Sequence, residues 1–168
     1  MPSPVNLETL EEHGVPLETY PMRHIFYSED GTPPSPEHLA QITPLDASAS
    51  AFLWKFEDLV KIGAFYPNIE RYFRHTEEFS FGAGKQREVK KWLFKRGITF
   101  SAKTYLAFQP DTAFILTWKM VIHYSGDLFF AHDVIVWDRT LNWGLYYHHD
   151  DVFHFGRTRI YDGEAEQL

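Results

Sequence analysis

The chain has 168 residues, of which 44% are hydrophobic and 17% aromatic, so it can build one substantial core. It carries a net charge of −7 and has no cysteine, which excludes disulfides, thiolate metal ligands and a cysteine nucleophile. No apolar run approaches the length of a transmembrane helix, and the first residues lack the basic and apolar stretches of a secretion signal. The sequence therefore predicts a cytoplasmic protein that does not enter a membrane.

Charge is distributed unevenly along the chain. Residues 1–50 hold eight acidic residues and one basic residue, whereas residues 51–108 hold eleven basic and six acidic residues. Residues 109–168 are acidic again, with nine acidic and four basic residues. Because Lys and Arg contacts with phosphate supply most non-specific affinity for nucleic acid, only the middle segment could support a nucleic-acid partner. Such a partner is disfavoured for the chain as a whole.

Proline divides the chain into an arm and a domain. Residues 1–34 are acidic and rich in proline, which removes backbone donors from regular structure, so they predict an extended N-terminal arm. The apolar residues of its second half are expected to pack on the domain. We expect a single α+β domain over residues 35–160, followed by a C-terminal tail over residues 161–168.

The first helices are predicted from their capping residues. Ser35 followed by Pro36 predicts the start of a short helix. The same signal in residues 43–46 predicts a second start, and the apolar residues that follow at helical spacing continue to Val60. Gly63 stands where a C-terminal cap is expected.

Two further helical segments are predicted downstream. One or two helical turns are expected around residues 68–76. Residues 85–96 then read as a basic amphipathic helix that ends at Gly97, with an apolar face formed by Val89, Trp92 and Leu93.

After Gly97 the sequence changes to the alternating period of strands. Residues 104–108 predict a short strand, and residues 109–111 a turn. Residues 113–124 predict one long strand whose even positions face the core. A hairpin at Ser125–Gly126 would then place Asp133 on the apolar face, opposite Trp118, and His132 opposite Lys119.

The last strands complete the predicted sheet. A loop near residues 139–142 leads into a strand over residues 143–149, and residues 152–155 form the last strand. A four-residue loop would place Asp133 opposite His148 and His132 opposite His149, whereas a slip of one residue would exchange these partners. The predicted fold is α+β, with N-terminal helices packed on one face of a C-terminal antiparallel meander of four or five strands.

A group of His and Asp residues is the first candidate for chemistry. Its spacing matches no metal-binding motif, and neighbours on a strand point to opposite faces, so His148 and His149 should not share an ion. We therefore expect no metal site and no cofactor. In an enzyme, acid–base or metal chemistry would fall to Asp133, His148, His132 and His149; otherwise Asp133 forms a structural ion pair or a hydrogen bond to Trp118. The whole group is His123, His132, Asp133, His148, His149, Asp150, Asp151 and His154.

The basic helix over residues 85–96 is the second candidate. Its six cations could contact nucleic acid or an acidic protein, with Tyr105 and Phe108 as possible stacking rings. No nucleic-acid-binding module surrounds them. A solvated face covered by the acidic N-terminal arm explains the charges equally well.

The aromatic tail over residues 143–157 has the composition of a protein-contact surface. The expected binding residues are rings at the centre and carboxylates at the rim, namely Tyr146, Tyr147, Phe153, Asp150 and Asp151. The order of helices and strands over residues 35–157, together with the Asp-Asp-Val-Phe-His-Phe-Gly run of residues 150–156, resembles the immunity proteins that bacteria carry against toxins.

This resemblance implies a protein-binding domain, without enzymatic activity, that neutralises a bacterial toxin. The acidic charge would suit a basic toxin domain as its partner. Two alternatives remain open. One is a hydrolase based on His and Asp, with or without a divalent metal, and the other is a small-ligand binder with an aromatic pocket between helix and sheet.

Overall fold

The computed structural model describes residues 3–59, 69–130 and 132–160. Its centre is a seven-stranded antiparallel sheet in the spatial order β1-β4-β3-β5-β6-β7-β2. The strands are β1 (Ile42–Leu45), β2 (Phe73–Ser80), β3 (Lys103–Gln109), β4 (Thr112–Thr117), β5 (Val134–Trp137), β6 (Trp143–His148) and β7 (Val152–Arg159). The α-helices are α1 (Pro36–Leu39), α2 (Ala47–Leu59), α3 (Gln86–Phe94), α4 (Trp118–His123) and α5 (Ser125–Leu128).

The α+β class is confirmed, but the expected meander of four or five strands is too small. Strands β1 and β2 come from the first half of the chain and lie at the two edges of the sheet. Among the described residues, no helix has the length and apolar character needed to cross a bilayer.

Helical segments cover both faces of the sheet, so the expectation that helices pack on one face is wrong. Successive residues of β4 point to opposite faces: Phe114 packs in the cluster that contains the buried residues of α3, α4 and α5, whereas Ile115 packs with Leu53 of α2. Because both faces are covered, β4 is buried along nearly its whole length. This explains why its sequence is almost continuously apolar.

The N-terminal arm belongs to this packing. Leu17, Tyr20 and Phe26 are buried in the cluster on the α3 side, and Leu10 is buried on the α2 side. The Tyr20 hydroxyl donates to the backbone oxygen of Leu45 at 2.8 Å. The arm is therefore fixed to the sheet by apolar burial as well as by hydrogen bonds.

Strand β1 occupies part of the segment predicted to begin the second helix. Pro44 fits there because β1 is an edge strand, where a missing backbone donor is tolerated. The arm runs along its outer side, with Val15 N donating to Pro44 O at 2.9 Å and a bridge between Gly14 and Leu45. Asp46 then caps α2, its carboxylate accepting from Ala49 N at 2.8 Å.

The other helix predictions have mixed outcomes. The short α1 is confirmed, with the Ser35 hydroxyl accepting from His38 N at 3.3 Å. The basic helix is confirmed as α3, and Gly97 follows it with a φ of 75°. The turns expected around residues 68–76 are a 3-10 helix at Ile69–Arg71 followed by β2. Val60 and Gly63, where the end of the second helix was expected, lie outside the described residues.

The long strand predicted over residues 113–124 is wrong. Strand β4 ends at Thr117, whose hydroxyl accepts from Met120 N at 3.4 Å and caps α4. The polar residues of this segment, Lys119 and His123, lie four residues apart, which fits a strand period and a helix period equally well, and the capping threonine decides between them. The hairpin expected at Ser125–Gly126 is instead the start of α5.

Helices α4 and α5 form a crossover between β4 and β5. Both strands pair antiparallel with β3, one on each side, so they run in the same direction and cannot be joined by a tight hairpin. The expected pairs of Trp118 with Asp133 and of Lys119 with His132 are therefore wrong. The β5–β6 register, in contrast, is the one expected for a four-residue loop, since Val134 pairs with Tyr147.

Trp118 is fully buried as expected and packs edge-on against Trp143, with ring centroids 5.5 Å apart. Replacing Trp118 with Ala should lower the free energy of unfolding by about 3–5 kcal/mol through lost burial and cavity formation. Urea unfolding monitored by circular dichroism measures the loss. Phe130→Ala, at a ring that is 74% exposed, is the control and should change stability by less than about 0.5 kcal/mol. A loss below about 1 kcal/mol for Trp118→Ala would show that this site can collapse around the missing ring.

Gly156 in β7 is required by the close approach of Phe73 from β2. A Cβ atom at residue 156 would lie 2.3 Å from Phe73 Cδ2 and 2.5 Å from its Cγ. Gly156→Ala should therefore destabilise the protein by about 1–3 kcal/mol, because the buried ring must move. Gly82→Ala is the matched control, since no atom lies within 4 Å of its Cβ position. Thermal unfolding of both variants tests the difference, and equal stability would contradict the packing described for Phe73.

Candidate functional site

Three of the predicted His and Asp residues meet at the open end of β6. We call Asp133, His148 and His149 the His/Asp cluster. Each offers one metal-ligating atom, and these atoms all lie within 4.8 Å of one another. Asp133 immediately precedes β5, and the β5–β6 register continues to place it opposite His148.

The turn after β6 brings the two adjacent histidines together. His148 is the last strand residue, and a three-residue loop follows before Val152, with Asp151 N donating to His148 O at 3.0 Å. Asp151 has a φ of 61°, the left-handed conformation that ends such loops. His149 is thus a turn residue, its ring lies 4.1 Å from that of His148, and the expectation that the two rings diverge is wrong.

Asp133 anchors the cluster through one oxygen. Its Oδ1 accepts from His149 N at 2.9 Å and lies 2.8 Å from His149 Nδ1. Although partial burial opposes ionisation of Asp133, the His149 hydrogen bonds prevail and lower its pKa. The same contact raises the pKa of His149. The pair favours a carboxylate beside an imidazolium on an exposed rim, so the expected burial of Asp133 against Trp118 is wrong.

Other members of the predicted group lie elsewhere or play structural roles. His132 is exposed and is not among the converging ligands. His123, on α4, packs against His38 with ring centroids 4.6 Å apart, and burial followed by the nearby cations lowers its pKa. His154 lies on β7 with its Nδ1 3.9 Å from a carboxylate oxygen of Glu78. The Asp151 carboxylate accepts a hydrogen bond from the Tyr147 hydroxyl at 2.8 Å.

The structure places the rings of the expected binding surface inside the protein. Tyr147 and Phe153 are buried in the cluster on the α3 side, and Tyr146 is buried on the α2 side. They line two different faces of the sheet and offer no exposed centre for a partner. Of the expected binding residues, Asp150 is exposed and Asp151 half-buried.

A second arrangement of exposed groups lies along α3. Phe94 is 59% exposed and Phe100 is 45% exposed, and their rings pack together with centroids 5.6 Å apart. Beside Phe94 lies an open, mostly apolar groove of about 720 Å³ whose floor includes Ile122 of α4. We call this region the α3 surface: Phe94, Phe100, Ile122, Arg87, Lys90, Lys91 and Lys95.

The cations of the α3 surface are exposed and lack ion-pair partners among residues 3–59, 69–130 and 132–160. Arg96 differs, because it is buried over the Trp92 ring, 4.1 Å from its centroid, and ion-paired with Glu77. The acidic arm does not cover α3 with its ion pairs, since Glu11 pairs with Lys103 and Glu8 with Arg139. The four cations of this surface therefore form an open basic region: Arg87, Lys90, Lys91 and Lys95.

Sequence reasoning missed two of these features. Phe94 lies outside the apolar face of α3, between Lys91 and Lys95, and this position was a readable signal of an exposed ring.

Glu57 gave no such signal: it lies on α2 and is buried, with its Oε1 accepting from Trp137 Nε1 at 3.0 Å. Burial raises the pKa of Glu57 to about 8, although the Trp137 hydrogen bond opposes the shift.

Comparison with known proteins adds no family to these observations. No protein-family model, no curated protein and no solved structure matches this chain. The His/Asp cluster and the α3 surface are therefore the basis for inferring a function.

The raised pKa of Glu57 predicts a pH dependence of stability. Between the unfolded pKa of 4.5 and the folded pKa of about 8, the folded state holds a proton that the unfolded state has released. Stability should therefore fall as pH rises through this window, by an amount on the order of a few kcal/mol. Glu57→Gln keeps an acceptor for Trp137 and should remove this loss.

Urea unfolding at pH 5.5 and pH 8.5 tests this prediction. Glu57→Gln should gain stability relative to the unchanged protein at the higher pH. Glu88→Gln, at an exposed carboxylate on α3 that does not contribute to the Glu57 pKa, is the control and should show the same pH dependence as the unchanged protein. A parallel response of all three proteins would mean that Glu57 is ionised in the folded state.

Proposed function

We propose that this chain is a protein-binding domain that recognises its partner through the α3 surface. The observation that carries the proposal is the exposed Phe94–Phe100 ring pair beside an apolar groove whose cations have no described ion-pair partner. The partner presents an acidic segment that carries an apolar side chain.

The exposed rings supply the apolar half of this recognition. Exposed aromatic side chains that form a contiguous apolar patch are typical of interaction sites. Phe94 and Phe100 stiffen each other by packing, so less side-chain freedom is lost when a partner covers them. Ile122 extends the patch into the groove. In protein interfaces, most of the binding energy comes from a few central residues, often aromatic, and the α3 surface has an aromatic ring at its centre with cations around it.

The cations of the α3 surface make the recognition selective for an acidic partner. The chain as a whole is acidic, with a net charge of −7, whereas the α3 surface is locally basic. This contrast orients an acidic partner towards α3 and away from the rest of the molecule. It also disfavours a basic partner at this surface.

A protein segment fits the α3 surface better than nucleic acid does. The groove wall is mostly apolar, and the Phe94 and Phe100 rings pack on each other, which leaves less ring face for stacking bases. The acidic charge of the remaining chain repels a phosphate backbone. Binding to single-stranded DNA is therefore one of the outcomes that the test must separate.

The resemblance to immunity proteins suggests a class of partner. If the chain is an immunity protein, its partner is a toxin, and the cations of the α3 surface favour a toxin with an acidic face. The basic toxin domain suggested by the net charge would instead bind at acidic groups such as Asp150 and Asp151. Binding at the α3 surface thus requires an acidic partner, whereas binding at Asp150 and Asp151 requires a basic one.

The test uses paired substitutions on two helices. Phe94→Ala/Lys95→Glu alters the α3 surface, and Trp54→Ala/Lys55→Glu makes the same kind of change at an exposed aromatic–lysine pair on α2. Proteins captured from nuclease-treated lysate of the native host by the unchanged domain are purified, and their affinity for each variant is measured by biolayer interferometry. The α3 variant should lose at least about tenfold in affinity, as expected for a central aromatic residue and its charged neighbour, and the α2 variant should bind normally.

Two results would overturn this proposal. The first is a captured partner that binds the α3 variant normally but associates more slowly with an Asp150→Asn/Asp151→Asn variant, which would assign recognition to the acidic rim. The second is tighter binding of a fluorescent single-stranded oligonucleotide than of any captured protein, with loss in the α3 variant.

A further inference from the structure

We propose that the His/Asp cluster binds a divalent transition-metal ion, with Zn²⁺ as the ion that its ligands suit best. The site is formed by Asp133 immediately before β5, His148 at the end of β6 and His149 in the following turn. It is separate from the α3 surface and does not depend on the function proposed for it.

The distances are close to those that a bound ion requires. Zinc bonds to imidazole nitrogen and carboxylate oxygen are about 2.0–2.2 Å long, so two ligand atoms on one ion are at most about 4 Å apart. The three ligand atoms of the cluster all lie within 4.8 Å of one another. Asp133 and His149 are 61% and 56% exposed, so their side chains can make the small remaining adjustment. The ion would replace the proton between Asp133 Oδ1 and His149 Nδ1, because a ligating imidazole must be neutral.

The backbone already holds the ligands together. The β5–β6 register fixes Asp133 opposite His148, and the hydrogen bond from His149 N to Asp133 Oδ1 at 2.9 Å ties the turn to the carboxylate. Little chain ordering is therefore left to accompany metal binding. Asp150 lies 3.4 Å from His148 Nδ1 and 3.8 Å from His149 Nε2, where a second carboxylate can orient a ligating ring.

The ligand types select the metal. Two imidazoles and one carboxylate suit zinc and its transition-metal neighbours, whereas Mg²⁺ and Ca²⁺ prefer shells of oxygen ligands. Three protein ligands leave a fourth position for water, which is the ligand number of catalytic zinc sites. The loaded site would thus provide the metal for a hydrolase based on His and Asp, the alternative suggested by the sequence.

Zinc binding to the purified full chain, free of any affinity tag, tests the proposal. After treatment with a chelator and desalting, titration calorimetry with ZnCl₂ should show one equivalent bound, and MgCl₂ should show none. Asp133→Asn and His149→Ala alter exposed side chains and should each weaken zinc binding by about tenfold or more. His132→Ala is the matched control, because His132 is an exposed neighbour outside the cluster, and this variant should bind zinc like the unchanged protein.

The outcomes are distinct. Circular dichroism checks that each variant is folded, and the unchanged protein alone already tests the stoichiometry. No measurable zinc binding to the unchanged protein would overturn the proposal, as would binding that persists in Asp133→Asn and His149→Ala. Loss in His132→Ala together with retention in His149→Ala would place the ion elsewhere and overturn it as well.

Discussion

The pairing of β3 on both of its edges determines the arrangement of the rest of the chain. Strands β4 and β5 are both antiparallel to β3, so they run in the same direction and need a crossover between them. That crossover is α4 and α5, which cover one face of the sheet and pack against α3. Helix α2 covers the other face. The layered packing and the near-continuous burial of β3 and β4 both follow from this single constraint.

The same crossover positions both candidate sites. It contributes Ile122 to the floor of the groove beside α3, and at its far end it delivers Asp133 to the open end of β6. The α3 surface is apolar and cationic, whereas the His/Asp cluster is a compact polar group on an exposed rim. Because the two sites differ in chemistry and share no residue, a partner at one and an ion at the other are compatible.

The sequence predicts best where two local signals agree. Helix α3 has both an amphipathic pattern and Gly97 at its end, and the β5–β6 register follows from the turn length and the alternation. Prediction fails in α4, where the polar residues Lys119 and His123 lie four residues apart and fit both a strand and a helix period. It also fails in β2, where most residues are polar and no apolar period can be read. Asp133, His148 and His149 are all predicted candidates, but the convergence of the two histidines is not predicted, because strand alternation does not continue past His148 and His149 lies in the turn.

The two edges of the sheet bear on how the protein behaves at high concentration. Exposed strand edges invite pairing with a second copy, which leads to aggregation. At β1, the arm around Val15 already occupies part of the edge, and Pro44 offers no backbone donor. At β2, the outer edge carries charged side chains such as Arg74 and Glu78. The arm therefore also shields β1 from intermolecular pairing, and proteolytic loss of the arm would leave that edge open to self-association.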